Sequence, residues 1–194
     1  VRVTDGLLFD TASSTVTVEN VAPSVDAGPD QAPVEGSTVT FNGSFDDPGT
    51  QDTHTITWDF GDGTPPVSGT LTPTHVYPDN GTFVVRLTVT DDDGGVGSDT
   101  LSVVAGNAIP DVEAGNDQNV IESDTVTLDP ASFTDAGVLD THTASIDWGD
   151  GTVESGVVSE TGGSGTVAAG GLGVCVAALV TLAAERHRWA DAAR

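Results

Sequence analysis

Between Ser37 and Val104 apolar residues recur at every second position in short runs. STVTF (37–41) sets Val39 and Phe41 on one face, and HTITWDF (54–60) does the same with Ile56, Trp58 and Phe60. TFVVRLTVT (82–90) aligns Phe83, Val85, Leu87 and Val89, and DTLSVV (99–104) supplies a fourth run. A period of two marks strands with one buried face. Between the runs stand PDNG (78–81) and DDDGG (91–95), the Asx and Gly residues that tight turns need. The pattern predicts an all-β, antiparallel sandwich whose core is built from these faces. Helical periodicity is absent until after Thr166.

The pattern occurs twice. DPGTQDTHTITWDFGDGT (47–64) aligns without a gap on DAGVLDTHTASIDWGDGT (135–152), an offset of 88 residues from Asp47 to Asp135. Upstream, APSVDAGPDQ (22–31) aligns on IPDVEAGNDQ (109–118) at an offset of 87. The period is one small domain, long enough to bury a core without cross-links. In the second copy Ile146 and Trp148 stand where Trp58 and Phe60 stood. The indole moves by two positions, the parity a core residue must keep. VRVTDG at residues 1–6 echoes LTVTDDDGG (87–95), so the chain opens in the tail of an earlier copy.

Charge narrows the range of partners. The 194 residues carry 30 acidic and 5 basic side chains, a formal charge of −25, and all five basic ones are arginine. Such a surface excludes nucleic acid as a partner and suits high salt or a calcium-rich exterior. One cysteine, Cys175, excludes an internal disulfide framework.

The series WDFGDGT, HVYPDNGTF and LTVTDDDG, with AGPDQ upstream, resembles the polycystic-kidney-disease (PKD) domain. The resemblance covers residues 20–105 fully, 107–160 as a first half, and 1–18 as a last piece. It implies immunoglobulin-like sandwiches of about seven strands, exported, strung as beads in a surface protein or secreted hydrolase, and it implies no catalysis. The expected organisation is therefore a C-terminal piece of a preceding repeat (1–19), a complete domain (20–105), an incomplete one (106–165), an apolar segment (166–184) and a basic tail (185–194). The expected function is a non-catalytic extracellular module of a cell-surface adhesion or stalk protein, which spaces or presents other parts and meets a protein or glycan ligand. The alternative is an accessory substrate-binding module of a secreted protease or polysaccharide hydrolase.

The repeated acidic motif reads first as a turn. In Trp58, Asp59, Gly61, Asp62 and Gly63, Asp bonds its own backbone and Gly takes positive φ; Trp148, Gly149, Asp150 and Gly151 repeat the turn. Glycosidase chemistry needs two carboxyls facing each other across a cleft, roughly 5 to 9 Å apart, and a sandwich end offers none. His75 and Tyr77, before the turn ending at Gly81, suggest a tyrosine corner. His54 and His142 recur in DTHT without a second His or Cys at metal spacing and read as hydrogen-bonded scaffolding. NGS (42–44) and NGT (80–82) are glycosylation sequons. In calcium-binding relatives of the family, ligands come from the start of the domain and from an acidic stretch before the third strand. The resemblance therefore implies Asn20, Asp46 and Asp47 as a calcium site. The second copy keeps Asn107 and Asp135 but has Thr134 in place of Asp46, which counts against its site.

The second copy then departs from the pattern. From Thr166 to Ala184 there is no charge, and Arg186 and Arg188 follow. As one helix this stretch spans about 28 Å, the hydrocarbon thickness of a bilayer. A C-terminal membrane anchor and a frame-shifted gene end both account for it.

Overall fold

The computed structural model describes residues 1–4, 6–7, 9–119, 121, 127–149, 151–170 and 179–185, the last stretch as backbone only. Two short strands, β1 (Arg2–Thr4) and β2 (Phe9–Thr11), form a hairpin before the first sandwich.

The first sandwich contains β3 (Ser24–Asp26), β4 (Thr38–Thr40), β5 (Ser44–Asp46), β6 (His54–Asp59), β7 (Val67–Ser68), β8 (Thr74–Val76), β9 (Gly81–Asp91) and β10 (Val96–Ala105). One layer is the antiparallel sheet β10-β9-β6-β7, and the other holds the pairs β3-β5 and β4-β8. Residues 31–34 run parallel to the end of β10 through bridges Gln31–Val103 and Val34–Gly106. The alternating faces meet between the layers: Val39, Phe41, Trp58, Phe60, Tyr77, Val85, Leu87, Val89, Leu101 and Val103 are all buried. The fold is an all-β, immunoglobulin-like sandwich.

The second sandwich contains β11 (Asp111–Glu113), β12 (Ala131–Thr134), β13 (Thr141–Asp147), β14 (Val153–Thr161), β15 (Ser164–Ala169) and β16 (Leu179–Glu185), in one sheet of order β11-β12-β15-β14-β13-β16. Gly156 is the corner. It pairs with Ala144 on β13 and with Ala169 on β15. A Cβ there would fall 2.5 Å from Val167 Cγ1, so only glycine lets β14 cross between the two partners. Phe133, Ile146, Trp148 and Val167 are buried.

The end of the chain corrects the reading of Thr166 to Ala184 as one helix. Thr166 to Ala169 belong to β15, and β16 lies along β13 from Thr141 to Asp147. An uncharged run rich in Val, Ala and Thr satisfies its backbone equally well in a ladder, and the open edge of β13 supplies the partner. Among the described residues no helix is long and apolar enough to cross a membrane. Residues 171–178, with Cys175, and 186–194 lie outside the described residues.

Candidate functional site

Each repeat brings its histidine to the aspartate that opens the acidic loop. In the first, His54 Nε2 donates to Asp47 Oδ2 at 2.9 Å with its ring against Phe45, and the Gly49 amide donates to Asp47 Oδ1 at 2.8 Å. These bonds, the His54 one foremost, hold the Asp47 carboxyl below its usual range. The loop then turns back to set Asp52 and Asp91 beside Asp47, with one carboxylate oxygen of each within 4.8 Å of the others. Asn20 Nδ2 donates to Asp91 Oδ2 at 2.9 Å, and the amides of Gly95 and Asp93 donate to Asp91 Oδ1 at 2.7 and 3.0 Å. The Asn20 bond leads these in lowering the Asp91 carboxyl, whereas partial burial, then the charges of Asp47, Asp92, Asp93 and Asp91, raise Asp52.

Asn20 and Asp47 thus share a cluster, and Asp46 does not join it. Asp46 ends β5 opposite Ser24, exposed, because alternation along the strand turns Phe45 inward and its neighbour outward. Thr134, in the matching place, is also exposed, so this difference removes nothing from the second copy. Sequence reasoning missed Asp52 and Asp91. Asp52 had a signal, its recurrence as Asp140 at the repeat offset of 88. Asp91 read as part of a hairpin turn.

The donors fit a hard cation. All three are carboxylate oxygens, and glycines open the space: a Cβ on Gly49 would fall 2.0 Å from Asp52 Oδ2, and one on Gly95 would fall 2.4 Å from Asp91 Oδ2.

The WDFGDG motif forms a turn at one end of the sandwich. Gly61 and Gly63 have φ of 76° and 83°, and a Cβ on Gly61 would collide with the Val84 carbonyl oxygen at 2.4 Å. The Gly61 amide donates to Asp59 Oδ1 at 3.0 Å. Asp62 Oδ1 accepts from the Thr64 amide at 3.0 Å and its hydroxyl at 2.6 Å, while Asp62 Oδ2 accepts from His75 Nε2 at 2.7 Å. His75 lies flat on Phe60, ring centroids 4.1 Å apart. Trp58 is fully buried and its indole N–H donates to the Thr70 carbonyl at 3.1 Å. The Tyr77 hydroxyl donates to the Phe60 carbonyl at 3.1 Å, 17 residues upstream, and so ties β8 to the turn after β6 where a tyrosine corner would bond close by in sequence. Gly81 begins β9 beneath the Phe83 ring. In the second copy Trp148 is buried, its amide donates to the Thr152 carbonyl at 3.0 Å, and Gly149 and Gly151 again have positive φ; Asp150 lies outside the described residues. Asn42 is exposed, whereas Asn80 Nδ2 donates to Asn107 Oδ1 at 3.1 Å.

Fold and site define a class: tandem acidic immunoglobulin-like sandwiches whose polar clusters lie at the ends of the domains. Residues 20–105 match the family described as the PKD domain, and this part of the chain is a PKD domain. Among solved structures, the chain is similar to the PKD1 domain of Vibrio anguillarum Epp, at 29% identity and a TM-score of 0.37, covering 45% of this chain and 96% of that one. It is also similar to a carbohydrate-binding module of the β-sandwich superfamily, at 18% identity and a TM-score of 0.40, covering 85% of each chain. No curated protein matches the chain.

Proposed function

We propose that the chain is a spacing and presenting segment of an exported cell-surface protein, built from sandwiches joined end to end. The observation that carries this reading is the direct contact between the repeats. The Val138 amide of the second sandwich donates to the Pro78 carbonyl of the first at 3.1 Å, and a Cβ on Gly36 would fall 2.7 Å from Ala136 Cβ. Such close, directional packing suits a series of beads held at a set spacing better than domains on a free tether. The acidic surface, with 30 carboxylates and no lysine, suits a salty or calcium-rich exterior. Calcium at Asn20, Asp47, Asp52 and Asp91 would steady the start of the first sandwich.

The accessory-module reading needs aromatic rings on the surface to meet a sugar. Trp58, Trp148 and Tyr77 are all buried, which favours spacing over glycan capture. The test combines small-angle X-ray scattering with retention on insoluble collagen, chitin and cellulose. An elongated particle that none of the three retains supports the proposal. A compact particle, or tight retention on any of them, overturns it.

A further inference from the structure

The last strand of the second sandwich stands in the place of an inner strand of the first. β9 lies along β6, pairing Asp91 with His54 and Arg86 with Asp59. β16 lies along β13, pairing Ala184 with His142 and Leu179 with Asp147, and His142 and Asp147 follow His54 and Asp59 at the repeat offset of 88. Residues 179–184 therefore hold the positions of residues 86–91. In the first sandwich β10 covers the far side of β9 and brings Leu101, Val103 and Ala105 into the core. β16 is instead the edge of its sheet, and among the described residues no strand fills the place of β10. Its outer row of backbone groups is a template for one further strand.

The chain carries a strand of that kind. The hairpin β1-β2 pairs Thr4 with Phe9 and Val3 with Asp10, as β9 and β10 pair Thr90 with Val96 and Val89 with Gly97. Phe9 thus matches Val96 at an offset of 87, and Asn20 matches Asn107 at the same offset. Residues 13–18 then match residues 100–105, the half of β10 that closes the core. Val103 and Ala105 are 0% and 4% exposed, whereas their counterparts Val16 and Val18 are 83% and 89% exposed, and residues 13–19 pair with no strand among the described residues. They cannot reach β16 of their own chain. Asn20 is held at Asp91, one end of β9, while the second sandwich touches the first at Pro78 and Gly36, beyond the other end. β9 spans about 33 Å between them at a rise of about 3.3 Å per residue. Seven extended residues reach only about 25 Å.

We propose that residues 13–19 of one copy of this chain add antiparallel to β16 (Leu179–Glu185) of a second copy and complete its second sandwich. Donor and acceptor are each seven residues long, so their ladders match. Strand addition of this kind draws affinity from main-chain hydrogen bonds and specificity from the side chains at alternate positions. In β10 the Val104 amide donates outward to the Gln31 carbonyl, so that of Val103 faces β9. The Val16 amide, its counterpart, faces the acceptor strand in the same way, and the two valines turn to the core side. The donor lies at one end of the chain's pair of sandwiches and the acceptor at the other, which makes the contact head-to-tail and open to repetition. It joins separate chains, so it does not rest on the spacer reading, which concerns sandwiches within one chain.

The test is sedimentation equilibrium of the full chain in molar sodium chloride, which screens the charge of −25 that each copy carries. The weight-average mass should climb with concentration from that of one chain to more than double. Val16→Pro removes the amide that faces the acceptor and should hold the mass at one chain. Because Val16 is exposed in the single chain, the variant should melt at the same temperature as its parent in dilute solution, which separates lost assembly from lost folding. A synthetic peptide of residues 11–20, added in excess, should cap β16 and dissolve the assemblies, and the same peptide carrying Val16→Pro should not. Hydrogen exchange should show the amides of residues 179–185 better protected in the assembled chain than in the Val16→Pro chain. A mass that stays at one chain, or growth unaltered by Val16→Pro or by the peptide, would overturn the proposal.

Discussion

The indole of Trp58 fills the space that a side chain on residue 43 would take: a Cβ on Gly43 would fall 2.7 Å from Trp58 Cζ2 and 2.6 Å from Leu87 Cδ2. Gly43→Ala should therefore cost about 1 to 3 kcal/mol by overpacking. Trp58→Ala should cost about 3 to 5 kcal/mol through the cavity it leaves. Urea denaturation followed by circular dichroism measures both, and a Trp58→Ala loss below about 1 kcal/mol would mean an exposed ring.

Tyr77→Phe keeps the ring stacked on Phe83 at 4.3 Å and removes only the hydroxyl that the buried Phe60 carbonyl accepts from. The expected loss is about 1 to 3 kcal/mol, the cost of leaving a buried acceptor unsatisfied. An unchanged denaturation midpoint would show that water replaces the hydroxyl.

Burial alone would raise the Asp62 carboxyl, but the hydrogen bonds from Thr64 and His75 outweigh it and hold the group below the usual 3.8. A carboxyl whose folded value is depressed stabilises the fold above its unfolded value, and that contribution is lost as pH falls through the lower, folded value. Stability should decline as the pH drops below about 4, and Asp62→Asn should flatten that decline. Denaturation midpoints measured from pH 6 to 2 would show it. Equal slopes for the two chains would count against the assignment.

With a formal charge of −25, mutual repulsion among carboxylates opposes the compact state. In EDTA the melting temperature should rise with sodium chloride as the screening length shortens from about 30 Å at 0.01 M to about 3 Å at 1 M. Scanning calorimetry across that range tests it. A flat response would mean the charges are spaced too widely to interact.

What the sequence determined by itself was periodic. Alternation put Val39, Phe41, Trp58, Phe60, Val85, Leu87 and Val89 on buried faces, and the offset of 88 residues marked a second, incomplete copy of the pattern. Both signals are local, since strand pleat and turn chemistry act over a few residues. Tertiary structure decided the rest. Asp46 and Asp47 are neighbours in sequence, yet only the strand's pleat and the turn after it send one outward and the other into the cluster. The uncharged run at the end could have satisfied its backbone as a helix or in a ladder, and the open edge of β13 settled the choice for Leu179–Glu185. Glu35 and Asp79 carried no motif. They meet Asp135 and Asp140 only because two folded sandwiches pack end to end, and no spacing along one chain encodes which loops such a contact brings together.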